Sequence, residues 1–409
     1  MASGCQPSKS QEGGAAIFDL TPTGQTVCYN EATLIPCPAA GLPFFGQDAQ
    51  YNTVSLSYAD KGDGTVTDLI TGLMWKKDYE PKTSLDAALA AASSVSTGGH
   101  KDWRVPTIKE LYSLINFNGR VGITQADSAP FIDTRYFNFA YGSETAGERF
   151  IDAQYLSSTV YSGTTMRGDA TVFGVNFADG RIKGYPRYPG AKGAGGHMFV
   201  RYVRGSYYGN NQIRDKNDGT IYDQTTGLTW MKEDSASLGA GAMDWEHALA
   251  WCENLDYGGR ATWRLPNAKE LQSIVDYTRS PTATGSASID RVFTASKIAV
   301  EGGQSDYGFY WTSTTHLNGP NPGSFAVYIS FGRALGYMPS PRGSELMDVH
   351  GAGAQRSDPK SGDPSKYPFG LGPQGDVIRI YNLVRCVSEG GVIPTLARIQ
   401  PPGTATSNQ

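Results

Sequence analysis

The residues able to do chemistry are few, and their spacing decides which chemistry is open. Five cysteines occur: Cys5, Cys28, Cys37, Cys252 and Cys386. None lies in a Cys-x-x-Cys pair, and no Cys/His cluster has zinc-site spacing. His100, His197, His247, His316 and His350 are scattered and form no His-x-His or His-Glu-x-x-His motif. Ser157, Ser158 and Ser313 lack the setting of a nucleophile elbow. Asp60, Asp63 and Asp68, like Asp215, Asp218 and Asp223, resemble a calcium loop superficially. Gly62 and Gly64, however, stand where its third and fifth ligands belong. The Asp-Gly pairs read instead as tight turns. No catalytic residue, cofactor or metal is expected.

Recognition chemistry remains. Arg181, Lys183, Tyr185, Arg187 and Tyr188 form a basic-aromatic cluster. Arg333, Tyr337 and Arg342 stand at corresponding positions later in the chain, followed by His350, Arg356, Tyr367 and Phe369. Sugar faces stack on exposed rings, and sulfated sugars need arginine or lysine forks. The expected ligand-binding residues are Arg333, Tyr337, Arg342, His350, Arg356 and Tyr367, with Arg181, Tyr185 and Tyr188 as a second cluster. The alternative is that the tyrosines are half-buried loop anchors. A net charge of −4 over 409 residues argues against strong polyanion binding, though a local patch can still act. Without a lysine-arginine tract, a nucleic-acid partner has no electrostatic support.

The elements that position these residues are duplicated. Trp103-Arg-Val-Pro-Thr-Ile-Lys-Glu-Leu111 returns as Trp263-Arg-Leu-Pro-Asn-Ala-Lys-Glu-Leu271. Each copy reads as a helix entry: proline ahead of the start, Thr107 or Asn267 as N-cap, and Glu110 or Glu270 closing a capping box. Upstream, Asp60–Asp68 with Thr71-Gly-Leu-Met-Trp75 matches Asp215–Asp223 with Thr226-Gly-Leu-Thr-Trp230. Between them, Leu85, Ala88, Leu89 and Ala92 correspond to Trp245, Ala248, Leu249 and Cys252, the apolar stripe of a first helix. Downstream, Val200-Arg-Tyr-Val203 matches Val384-Arg-Cys-Val387 as closing strands. Every residue of the repeated motif has a structural task, so it is expected to build the fold and do no chemistry.

The cysteines fall into pairs around this frame. Cys28 and Cys37 flank a short turn suited to a closed hairpin. Cys252 and Cys386 are both replaced in the first copy, by Ala92 and Tyr202, which suggests that they pair; the alternative is buried free thiols. Met-Ala-Ser-Gly-Cys5 resembles the end of a bacterial lipoprotein signal, so Cys5 is expected to be a lipidation site and the protein a secreted or cell-surface lipoprotein; the alternative is that Cys5 stands there by accident. The chain divides into a tether (1–16), an N-terminal β extension packing on the first copy (17–58), a first domain (59–205), a linker (206–211), a second domain (212–389) and a tail (390–409). The second copy carries an insertion at 338–377. Function tends to sit on loops over a rigid scaffold. The insertion is therefore expected to carry the binding site, the first copy to be a spacer, and a swap for the short first-copy loop to leave melting nearly intact.

The Asp-Gly-Thr-Val-x-Asp, Thr-Gly-Leu-x-Trp, Trp-Arg-Leu-Pro-x-x-x-Glu-Leu and Val-Arg-Cys-Val motifs resemble the Lcl C-terminal domain family, over about 58–205 and 212–389. That family, long catalogued as a domain of unknown function, occurs in bacterial collagen-like adhesins and is related to C-type-lectin-like folds. The resemblance implies an α+β chain of two tandem C-type-lectin-like domains, each a hairpin, two helices and an irregular antiparallel sheet. It also implies adhesion or ligand binding, including sulfated glycans. The Cys252–Cys386 pairing is similar to the long disulfide of lectin-like folds, and the first copy departs by lacking it. The Trp-Arg-Leu-Pro motif is also similar to that of formylglycine-generating enzymes, but those need a reactive cysteine pair, and the first copy has no cysteine. The expectation is a non-enzymatic extracellular protein binding a glycan or surface protein, with homo-oligomers possible and membrane contact only through Cys5. The alternative is a structural subunit of an extracellular assembly or surface complex.

Overall fold

A computed structural model describes residues 19–51, 54–188, 196–341 and 343–389. Cys5, the 1–16 segment, Arg342 and the 390–409 segment lie outside the described residues. The fold is mixed α and β and mostly strand. Among the described residues no helix is long and apolar enough to cross a membrane.

Each copy opens on a three-stranded meander. In the first copy the strands are Tyr58–Asp60, Thr65–Asp68 and Met74–Lys76; in the second they are Ile213–Asp215, Thr220–Asp223 and Leu228–Met231. The turns are made by aspartate. Asp63 Oδ1 accepts from the Thr65 amide at 3.0 Å, and Asp218 Oδ1 from the Thr220 amide at 2.9 Å. The closing strand returns to the meander in both copies, with Val203 opposite Trp75 and Val387 opposite Trp230. Trp75 and Trp230 are fully buried.

The helices form where the caps are. Leu85–Ala92 is capped by Ser84 and buries Leu85, Ala88 and Ala92; Trp245–Glu253 is capped by Asp244 and buries Trp245, Ala248, Leu249 and Cys252. Ile108–Ser113 and Ala268–Ser273 both start on complete capping boxes. In each box the glutamate does a second task. Arg104 forks onto Glu110, and Arg264 onto Glu270, with both nitrogen–oxygen distances at 2.6–2.7 Å. The closing-strand arginines are duplicated too. Arg201 donates to the carbonyls of Lys76, Lys77 and Asn138, and Arg385 to those of Met231, Lys232, Glu233 and Thr294. Cys28–Cys37 and Cys252–Cys386 are both disulfides.

Two expectations are corrected. The 17–58 extension straddles both copies rather than packing on the first. Thr21 Oγ1 donates to Ser113 O of the first copy, while Thr314 Oγ1 donates to Asp48 and Tyr51 to Glu253 in contacts with the second. Among the described residues its strands before Tyr58 are the pairs Cys28–Tyr29 and Leu34–Ile35; the Phe44–Tyr51 stretch forms turns and the short helix Asp48–Tyr51.

The second correction concerns the insertion. It is not a loop laid over a scaffold. Part of it, Gly343–Asp348, pairs back on Leu335–Ser340 as a hairpin. The rest supplies Gln355–Pro359, a strand buried along its whole length. That strand sits in the middle of an eight-stranded sheet. The order is Phe309–His316, Phe325–Ser330, Gln355–Pro359, Arg181–Pro186, Asp169–Asn176, Gln154–Thr165, Met198–Val200, Glu80–Thr83. The first three belong to the second copy and the other five to the first. The insertion therefore joins the copies into one sheet, because the open backbone groups of a strand pair where backbone partners are offered. Within the 206–211 segment Tyr208 and Gly209 are packed in: Tyr208 is 7% exposed, and Lys109 Nζ donates to Gly209 O and Asn211 Oδ1.

Candidate functional site

The join between the copies encloses a cavity of about 200 Å³. Its position follows from strand register. Gln355 lies opposite Ile182 in antiparallel pairing, and Arg356 lies opposite Tyr328 on its other side. Extending the first pairing by one residue sets Arg356 opposite Arg181. Cross-strand neighbours share a face, so the two arginines and Tyr328 line one wall. Lys183, two residues along the same strand as Arg181, lines it as well. Asp179 comes from the turn before that strand and Asp376 from the far end of the insertion. Arg149 stands at the exposed edge, answered by Asp152 at 2.6 Å.

The charges inside do not cancel. Arg181, Lys183 and Arg356 face two carboxylates, Asp179 and Asp376. Lys183 and Asp179 form a close ion pair, as do Arg356 and Asp376. Arg181 reaches Asp179 only at 3.6 Å and spends one nitrogen on Ser357 Oγ at 3.0 Å. Like charges set opposite each other across two strands are destabilising unless answered. The ionisation of the groups reflects this crowding. Burial pulls Lys183 down to about 8 despite Asp179, with Arg356 and Arg181 acting in the same direction. Burial and then Arg181 pull Arg356 down to about 10. Burial works to raise the Asp179 carboxyl, but Lys183, Arg181 and Arg356 hold it below the usual value. His316 and His350 stand behind the wall. Burial, with Arg181 for His316 and Arg356 for His350, puts both well below the ordinary histidine range, so they add no charge. His316 Nε2 donates to Asp179 O at 2.8 Å, and His350 Nε2 to Asp376 Oδ1 at 2.7 Å.

Several polar atoms of this wall have no hydrogen-bond partner among the described residues: Arg356 Nε and Nη1, Arg181 Nε, and Asp179 Oδ1. Arg356 is 7% exposed. A buried guanidinium with open donors is costly. Here three open donors and one open acceptor are buried in one wall.

The residues singled out from the sequence scatter around this point. Arg181 and Arg356, placed in separate clusters by the sequence, meet at the cavity. His350 touches it through Asp376. Tyr185 is half-buried and packs against the core around Leu156 and Val172 rather than standing free. Tyr188 is exposed beneath Arg187, whose guanidinium pairs with Asp86. Arg333 is spent on Asp306 at 2.6 Å and Gln304 at 2.8 Å. Tyr337 packs edge-on against Phe369, and Tyr367 is partly exposed beyond Pro364–Lys366; both belong to the far side of the insertion. Asp179, Asp376 and Tyr328 carried no sequence signal, because only the pairing across copies brings them together. Among the described residues no group of three or more His, Cys, Asp or Glu is arranged to hold a metal ion.

Comparison with known proteins gives a single kind of match. No curated protein matches the chain, and no solved structure does. The Lcl C-terminal domain matches twice in tandem, at residues 64–204 and 219–345, together well over half of the chain. The first match ends on the closing strand of its copy; the second ends inside the hairpin of the insertion, before the strand that joins the copies. On these two matches, the chain belongs to the Lcl C-terminal domain family.

Proposed function

We propose that this is a non-enzymatic extracellular protein that binds a ligand, of the glycan class, in the cavity between its two copies. The observation that carries the reading is a cavity whose wall both copies build, with three cations against two carboxylates and polar atoms left unpartnered in that wall. Family membership supports an adhesin-like role. Two disulfides support an oxidising compartment outside the cytosol. The C-type-lectin-like character of each copy belongs to the same proposal, supported by the Cys252–Cys386 bridge from first helix to closing strand. Anchoring through a lipid on Cys5 belongs to it as well. Its check is whether Cys5→Ser releases the full-length protein from membranes.

Both copies contribute to this site, so neither is a spacer. A glycan array with the full chain tests the reading. Binding to a defined glycan, lost in Arg356→Gln while the melting transition persists, is the expected result. No binding to any glycan, with ordered oligomers in light scattering, would transfer the reading to a structural subunit.

A further inference from the structure

The chemistry of the open atoms names the ligand more closely than its class. What enters meets a wall with more positive than negative charge, in which Arg356 Nε, Arg356 Nη1, Arg181 Nε and Asp179 Oδ1 are left without partners. A carboxylate supplies two acceptor oxygens, one for each of the two facing arginines. A hydroxyl supplies the donor. The charge balance agrees: three inner cations against two carboxylates leave room for one negative charge. Size agrees as well, since about 200 Å³ lies below the ~300–1,000 Å³ of pockets for drug-sized ligands. A chain carrying many anions does not fit such a space, and the two resident aspartates would repel its second charge.

We propose that the cavity between the copies is a receptor for a single carboxylate-bearing, hydroxylated group, the chemistry shared by a uronic-acid sugar and a small hydroxy acid. The inference rests on the ligand-binding reading above. The wall explains the selectivity. Arg356 and Arg181 come from different copies and face each other one residue beyond the pairing of Gln355 with Ile182. Phe325 and Tyr328 close the side away from the first copy. The bound carboxylate therefore answers two like charges that the fold places together, and it ties the copies to each other. Ligand should stabilise the whole chain, because it binds only where both copies are in place.

Calorimetric titration of the full chain tests this with four probes: D-glucuronate, L-lactate, D-glucose and sodium sulfate. The expected result is saturable one-to-one binding of D-glucuronate, with a rise in melting temperature, and D-glucose at least ~10-fold weaker, the scale of losing a charge-assisted hydrogen bond. Binding of L-lactate beside D-glucuronate assigns the site to hydroxy acids at large; D-glucuronate alone assigns it to sugar acids. Sulfate equal to or tighter than D-glucuronate, D-glucose equal to it, or no binding of either carboxylate would each overturn the inference. Arg356→Gln should lose D-glucuronate by at least ~10-fold. Should that variant fail to fold, Arg181→Gln, nearer the opening, makes the same test. Array binding by a wild type that ignores D-glucuronate defeats this inference and leaves the binding reading standing; silence in both defeats both.

Discussion

At the residue scale, the repeated Trp-Arg-x-Pro-x-x-x-Glu motif spends each polar group on holding itself together. Glu110 is fully buried, accepts from the Thr107 amide at 2.8 Å and takes both prongs of Arg104. Glutamine at this position keeps the capping acceptor and removes the charge, so Glu110→Gln tests the fork together with the bond that Glu110 Oε1 accepts from the Tyr208 amide at 3.2 Å. Unpairing a largely buried ion pair costs about 3 kcal/mol, and a denaturant melt should show that loss with the slope unchanged. A cost near zero would mean that Arg104, partly exposed, is satisfied by water. The cap was legible in the sequence, because it is local; the fork came only with the structure. Asp348 was not legible either. It is buried 187 residues away from the Tyr161 hydroxyl that donates to it at 3.1 Å, and burial raises its carboxyl to about 7. The sign follows from proton counting: a folded value above the unfolded one gives stability that is present below about 4 and lost as pH rises through about 7. Asp348→Asn does not titrate. The melting temperature of Asp348→Asn minus that of the wild type should therefore climb between pH 4 and pH 8; a flat difference would show that the carboxyl is not shifted.

At the element scale, the two copies were readable as units and their junction was not. The meanders, capped helices and closing strands carry short-range signals: Asp-Gly turns, capping boxes and apolar stripes. Strand Gln355–Pro359 carries none. Its sequence, Gln-Arg-Ser-Asp-Pro, has no apolar alternation, and its burial comes from neighbours on both sides rather than from its own side chains. Polar residues in a buried strand are held by specific partners. Asp358 is an example, its Oδ2 accepting from the Arg379 and Ile380 amides and from Asn382 Nδ2 at 3.1–3.2 Å. The consequence reverses the expectation for a loop swap. Replacing 340–375 with the short first-copy connection removes the strand between Phe325–Ser330 and Arg181–Pro186 and leaves both edges unpaired. The melting transition should fall by many degrees or vanish, measured by circular dichroism. A transition within a degree or two of wild type would mean that the insertion is dispensable to the fold after all.

At the scale of the whole molecule, the copies are joined by more than the sheet. Besides the sheet, the two motif lysines make a reciprocal contact. Lys109 Nζ donates to Ser273 O at 2.6 Å, at the end of the second copy's motif helix. Lys269 Nζ donates to Ser113 O at 2.7 Å, at the end of the first copy's. The same residue of each motif thus caps the other copy's helix, as in a twofold interface folded into one chain. Each ammonium meets the negative end of a helix. Lys269, 3% exposed, also donates to Thr21 Oγ1 and Pro22 O, which brings the N-terminal extension into the same contact. Two globular copies on a linker would melt separately; copies that share a sheet and exchange helix caps should melt together. Reduction of Cys252–Cys386 separates these cases, because that bridge lies wholly in the second copy and closes a loop of 134 residues. In the loop-entropy description, opening it destabilises by about 5 kcal/mol. If the copies are one cooperative unit, calorimetry shows a single transition before and after reduction, moved down as a whole, with fluorescence and circular dichroism coincident. If they are separate, the reduced protein shows two transitions, with the first copy's left in place. The shared sheet and the crossed lysines predict the first outcome.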